Sequence, residues 1–197
     1  MDGHHLILGE LIDYLTAAVL PDTHDERHRQ KIARLLIEAL GYKKTEIISR
    51  RELIVATDNK RAKISIDFIV TVGEKVGMLI KYGPGSLTTR HKPVLAAARL
   101  VDNYQVPVAV VTNGEDAETL DTVSEKVIGR GIDHIPNRVQ LAKIVSGYEF
   151  APVSEKKIEM AARIVYCYEI DGACPCDTTV CHLEEGQPEP QGIYVNS

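Results

Sequence analysis

The chain has 197 residues, of which 44% are hydrophobic and 26% charged, and its formal net charge is −5 at pH 7. These are values of an ordinary globular domain, long enough to bury a core without disulfide staples; they exclude a fibrous or wholly disordered chain. With no tryptophan and only 2 phenylalanines, the sequence also argues against an RNA-binding sheet built on stacked aromatic rings.

In chain order, the first apolar run, His5 to Leu20, is broken by Glu10 and Asp13 and has no basic leader. It is expected to be neither a signal peptide nor a membrane span, which implies a reducing cytoplasm. The spacing of Leu6, Leu8, Leu11, Ile12 and Leu15 predicts a helix over 6–20, ended by Pro21. A second helix follows, with Thr23 and Glu26 spaced as a capping box, an apolar stripe from Ile32 to Leu40 and Gly41 as its stop. Residues 46–56 are β-prone, and Asp58-Asn59-Lys60 reads as a turn. In the run from Ile64 to Val72, a period of two puts Ile64, Ile66, Phe68, Val70 and Val72 on one face, with Ser65, Asp67, Ile69 and Thr71 on the other.

Gly73-Glu74-Lys75 turns the chain into a return strand, Val76 to Lys81, where Gly77, Leu79 and Lys81 share a face. Gly83-Pro84-Gly85 stops it. A helix over 93–103, a buried central strand from Val106 to Thr112 and a turn at Asn113-Gly114 come next. Beyond lie a short strand over 117–122, a helix from Asn137 to Val145 and a longer helix from Glu155 to Tyr168 capped by Ser154. The order predicts an α/β fold with helices covering a mixed sheet. It divides into an N-terminal helix packed on the core over 1–21, a main domain over 22–150, a helix with a Cys-rich segment over 151–182 and a flexible tail over 183–197.

Charge is placed unevenly along this order. Residues 27–63 carry 11 Lys/Arg against 4 Asp/Glu, a balance of +7, which leaves −12 for the rest. Arg50, Arg51, Lys60 and Arg61 in this block are candidates for a phosphate-facing, nucleic-acid-binding surface; a set of solvated faces is the alternative reading.

An acidic residue in the first well-marked helix, an Asp in a strand, a hairpin to a strand ending in Lys, then a helix and Val-Pro-Val-Ala-Val-Val-Thr-Asn-Gly at 106–114 together form a pattern. Over roughly residues 22–122 it resembles the N-terminal domain of the type I restriction enzyme R subunit, a branch of the PD-(D/E)xK nuclease superfamily. The resemblance implies a restriction-endonuclease-like core, with Glu26 as the helix carboxylate, Asp67 as the Mg²⁺-binding Asp and Lys81 as the catalytic Lys.

The family usually writes Glu-x-Lys where this chain has Leu79-Ile80-Lys81, and Leu79 is expected to lie beside Asp67 on the adjacent antiparallel strand, pointing the same way. Hydrolysis in such a site needs hard oxygen ligands for Mg²⁺, so a weakened metal site and a degenerate, non-cleaving DNA-binding domain are expected. An active divalent-metal-dependent DNA endonuclease and a non-catalytic interaction or metal-sensing module are the alternatives. Away from the resemblance, Glu26 reads as half of the capping box, Asp67 as the ion-pair partner of Lys81, and Lys81 as a strand-end lysine. No helicase motor is present in the sequence. ATP-driven translocation would therefore need a helicase or methyltransferase partner chain.

All four cysteines, Cys167, Cys174, Cys176 and Cys181, fall within fifteen residues as C-x6-C-P-C-x4-C, followed by His182. Thiolates so clustered suit Zn²⁺ or an iron–sulfur cluster, although the spacing has no C-x2-C pair; free thiols are the alternative.

Overall fold

The computed structural model describes residues 7–57, 60–171 and 181–183. The N-terminal helix expected within 1–21 is instead an antiparallel hairpin of β1 (Glu10–Ile12) and β2 (Val19–Pro21), with Ile12 opposite Val19. Asp13 supplies the reason. Its Oδ1 accepts the Leu15 and Thr16 amides at 2.9 and 2.8 Å, and the turn it closes leaves Ala17 at φ +61°, which a continuous helix forbids. The turn at Asp58-Asn59 and residues 184–197 of the expected tail lie outside the described residues.

Helix α1 (His24–Arg34) starts at Thr23, whose hydroxyl accepts the Glu26 amide at 3.1 Å. Only this half of the expected capping box forms, because the Glu26 carboxylate is engaged elsewhere. Ile32, Ala33 and Leu36 are buried, a π turn over Leu35–Ala39 continues the helix, and Gly41 at φ +74° follows its end.

Six strands follow one another across the sheet: β3 (Ile47–Thr57), β4 (Lys60–Val72), β5 (Lys75–Tyr82), β6 (Val108–Thr112), β7 (Ala117–Asp121) and β8 (Lys126–Arg130). All pairs are antiparallel except β5–β6, which is parallel because α2 (His91–Ala97) lies in the connection between them. A short seventh strand, β9 (Cys181–Leu183), pairs with β4 opposite Arg61–Lys63. The centre of the sheet, β5 and β6, is buried on both faces. One face, with Ile64, Ile66 and Leu79, packs against α2, α4 (Glu155–Val165) and the π turn Tyr166–Asp171. The other, with Phe68, Val70 and Ile80, packs against α1 and α3 (Arg138–Ser146).

The alternation expected along β4 breaks midway. Ile64 and Ile66 share a core with Ile69, whereas Phe68 and Val70 belong to the opposite one. The exchange takes place at Asp67, facing Arg50 of β3, where one rung is missing between the Ser49–Phe68 and Arg51–Ile66 pairs and Arg50 has φ +52°. Both strands turn over at this point, as at a bulge, without losing register. Gly77 also leaves its expected face. It is the extra residue of a bulge opposite Val70 and Thr71, and a Cβ there would lie 2.7 Å from Val145 Cγ2 of α3. Among the described residues, no helix is long and apolar enough to cross a membrane.

Candidate functional site at the strand fork

Strands β4 and β5 separate just beyond the Phe68–Ile80 pair, and separation leaves backbone groups without ladder partners. Side chains fill the gap from both sides. Asp67 Oδ2 accepts the Tyr82 amide at 2.8 Å, and Lys81 Nζ donates to the Ser65 carbonyl at 2.8 Å. Each of the two residues thus caps the backbone of the other's strand.

On the α1 side of the fork, charge is concentrated. Arg29 Nε donates to Asp67 Oδ1 at 2.6 Å, and its Nη1 lies 3.8 Å from Glu26 Oε2. Arg50 reaches Asp13 Oδ2 through Nη1 at 2.6 Å and Glu26 Oε1 through Nη2 at 2.5 Å. Gln30 Nε2 donates to the same two oxygens, at 3.1 and 2.7 Å, while its Oε1 accepts the Tyr14 amide at 2.7 Å. Asp13, Glu26, Gln30 and Asp67 are all buried. Three carboxylates therefore share two guanidinium groups, and the charge-assisted bonds offset the cost of taking these ions out of water. Burial pushes the Asp13 carboxyl up, but the Thr16 amide, Arg50 and Gln30 outweigh it and bring it down to about 2.

Helix α1 is fixed over this cluster by the turn after β6. The Lys31 ammonium donates to the Gly114 carbonyl at 3.2 Å, and Gly114, at φ +89°, lies so close under His28 that a side chain there would collide with the imidazole. This contact accounts for the glycine of Val-Thr-Asn-Gly. Tyr82 completes the wall: its hydroxyl donates to Asp25 Oδ1 at 3.0 Å and its ring lies under the Arg29 guanidinium.

Of the residues marked by sequence, Glu26 and Asp67 come to one side of the sheet, joined through Arg29. Lys81 does not join them. Its ammonium lies on the opposite face, 3.1 Å from Glu169 Oε2 in the π turn after α4. Leu79 shares that face, fully buried in the core with Ile69 as its cross-strand neighbour, so the expectation that it points the same way as Asp67 is corrected. The reversal at Asp67 causes this, since the strict alternation that placed the two side by side ends one residue earlier.

The nucleic-acid candidates are dispersed. Arg50 is bound within the cluster. Arg51 stands opposite Ile66, Arg61 opposite Leu183, and Lys60 is 3.7 Å from Asp171 and over the Tyr166 ring. Asp13 and Gln30 were not singled out by sequence, and Arg29 was marked only as one of the basic residues of the 27–63 block. The i+3 and i+4 spacing of Arg29 and Gln30 from Glu26 was the available signal.

A divalent cation fits these donors poorly. The inward oxygens of Asp13, Glu26 and Asp67 are already committed to N–H donors, Leu79 offers none, and among the described residues no group of three or more His, Cys, Asp or Glu is placed to hold a metal. Cys167 is an exposed free thiol. Cys174 and Cys176 lie outside the described residues, and Cys181 opens β9.

Fold and site define a mixed α/β domain with a charged cluster at a strand fork. The chain belongs to the family of the type I restriction enzyme R protein N terminus, whose sequence profile matches residues 24–136. The match spans α1, the six principal strands and α2, and leaves out the β1–β2 hairpin with Asp13. Comparison with curated proteins and with solved structures gave no match.

Proposed function

We propose that this is a restriction-endonuclease-like, nucleic-acid-binding domain in which Mg²⁺-dependent phosphodiester cleavage is lost or much reduced. The observation that carries the reading is the pair of guanidinium groups: Arg50 on Glu26 and Arg29 on Asp67 supply the positive charge that a metal ion would otherwise bring to these carboxylates. Leu79 and the turned-away Lys81 support it, because hydrolysis in a PD-(D/E)xK site needs a second strand carboxylate and an electrostatic lysine on the side of the Asp. DNA is the partner that family membership favours.

Binding rests on phosphate neutralisation by the β3–β4 ribbon. The double change Lys60→Gln with Arg61→Gln is expected to weaken duplex binding equally across sequences. It should also lower the slope of log K against log salt by about 0.9 for each phosphate that is no longer neutralised. The Lys60 pair with Asp171 is exposed, so loss of that ion pair by itself costs little stability, and thermal unfolding of the variant checks that it stays folded at the binding temperature. Fluorescence anisotropy across a salt series reads both quantities. Undetectable binding at low salt removes the DNA reading, and wild-type cleavage with Mn²⁺ that Asp67→Ala abolishes replaces it with an active endonuclease.

The cysteine cluster is proposed as a thiolate site for Zn²⁺ or an iron–sulfur cluster on the strength of its sequence clustering. Elemental analysis of anaerobically purified, untagged protein is expected to find about one equivalent of zinc or at least that much iron, with loss at low pH as the thiolates protonate. Four titratable thiols with neither metal would overturn it.

A further inference from the structure

At the opposite end of β5 from the fork, where Lys75 opens the strand, three of the chain's few aromatic rings meet. Tyr104 and Phe150 lie edge to face with centroids 4.7 Å apart at 82°, and Tyr148 buttresses Phe150 in the same manner at 5.0 Å and 72°. The Lys75 ammonium stands 4.9 Å from the Tyr104 centroid and 5.1 Å from that of Phe150. One of only 2 phenylalanines in the chain is therefore spent at a half-buried position rather than in the core.

The rings come from separately anchored segments. The Tyr104 hydroxyl accepts the Val76 amide at 2.7 Å, while Tyr104 bridges Pro152 and the Val153 amide donates to the Asn103 carbonyl at 3.2 Å. Gly77 lets α3 approach β5, and the chain leaving α3 delivers Tyr148 and Phe150. Such anchoring fixes the rings before any ligand arrives, which limits the ordering cost of binding. Lys75 itself is exposed at a hairpin turn, with its ammonium over the Tyr104 and Phe150 rings. Its charge is held by ring faces, whose quadrupoles attract ammonium groups.

We propose that Tyr104 and Phe150, buttressed by Tyr148, form a recognition site for an alkylammonium group, and that Lys75 is its built-in competitor. Tyr104 is buried beneath Lys75, but Lys75 itself is exposed, so its ammonium exchanges the ring contacts directly for hydration when a ligand displaces it. The ligand is either a small quaternary ammonium ion or the methylated lysine of a partner protein. The site is independent of DNA binding by the β3–β4 ribbon.

The test is a titration of the full chain with tetramethylammonium chloride, read by NMR on the tyrosine and phenylalanine ring protons, with sodium chloride as control. Lys75→Ala is expected to show saturable shifts in the millimolar range, at least several-fold tighter than wild type, and adding Phe150→Leu is expected to abolish them; Lys75→Gln provides a second competitor-free variant. Absence of saturation in both Lys75 variants, or shifts that persist without Phe150, overturns the proposal. A peptide carrying one trimethyllysine that binds more tightly than tetramethylammonium identifies the source as a protein side chain, and equal affinity identifies a small free cation.

Discussion

Leu79→Glu is expected to destabilise the domain by roughly 3–5 kcal/mol, because it places an ionised carboxylate in an apolar core without a matched partner. Leu79 is 0% exposed, and the core that encloses it contains Ile66, Ile69 and α2 side chains. Lys81, two residues on along the same face, is already engaged by Glu169 and Ser65. By sequence alone the same change restores the family's Glu-x-Lys and gains a metal site, so that Mn²⁺ raises the variant's stability by binding its folded form. The fork geometry gives the opposite expectation: urea unfolding of the variant should show a large loss that millimolar Mn²⁺ does not recover. A metal-dependent rescue confined to the variant would place position 79 beside Asp67 and refute the strand reversal.

Arg50 carries the second large effect. Arg50→Met leaves Asp13 and Glu26 buried without their shared counter-charge, and the expected loss is about 3 kcal/mol. Arg50→Gly breaks the same bonds but accommodates φ +52° without side-chain strain, so it is expected to exceed Arg50→Met in stability by about 1 kcal/mol. Equilibrium unfolding of the two variants separates the ionic contribution from the backbone one; equal stabilities would show that the left-handed backbone at Arg50 costs nothing.

Acid unfolding supplies an independent readout of this cluster. Asp13 is lowered in the folded state from its ordinary 3.8 to about 2, so its stabilisation is complete above pH 3.8 and disappears as pH falls through about 2. That linkage amounts to about 2 kcal/mol. In Arg50→Met the Asp13 carboxyl loses one of the groups that hold it down, and the acid-induced loss is expected to begin at higher pH than in wild type.

Elements that rest on local patterning were legible in the sequence. The hairpin of β4 and β5, the apolar run of β6, α1 with Thr23 before it and α3 with Asn137 before it all follow from period, caps and turn residues read over short windows. The family was legible too, because the acidic helix, the strand Asp, the strand Lys and Val-Thr-Asn-Gly keep their order along the chain. The N-terminal hairpin was not. Apolar spacing over 6–20 imitates a helix, whereas the outcome depends on an Asp13 carboxylate that binds both its own turn and Arg50, 37 residues away. β8 was missed for a related reason: five residues including one glycine give too short a pattern to mark a strand.

What the sequence by itself determined is the class of fold, the family and two of the carboxylates at the fork, Glu26 and Asp67. Only the tertiary structure decided which face each one occupies. A period of two assigns faces only while a strand stays regular, and here both β3 and β4 turn over at Arg50 and Asp67, so every position beyond that point is on the other side from the one that counting gives. This single reversal sends Asp67 toward Arg29 and Glu26 and leaves Lys81 with Glu169. Its cause is non-local: a left-handed backbone at Arg50 persists because buried carboxylates from the hairpin and α1 hold the guanidinium in place.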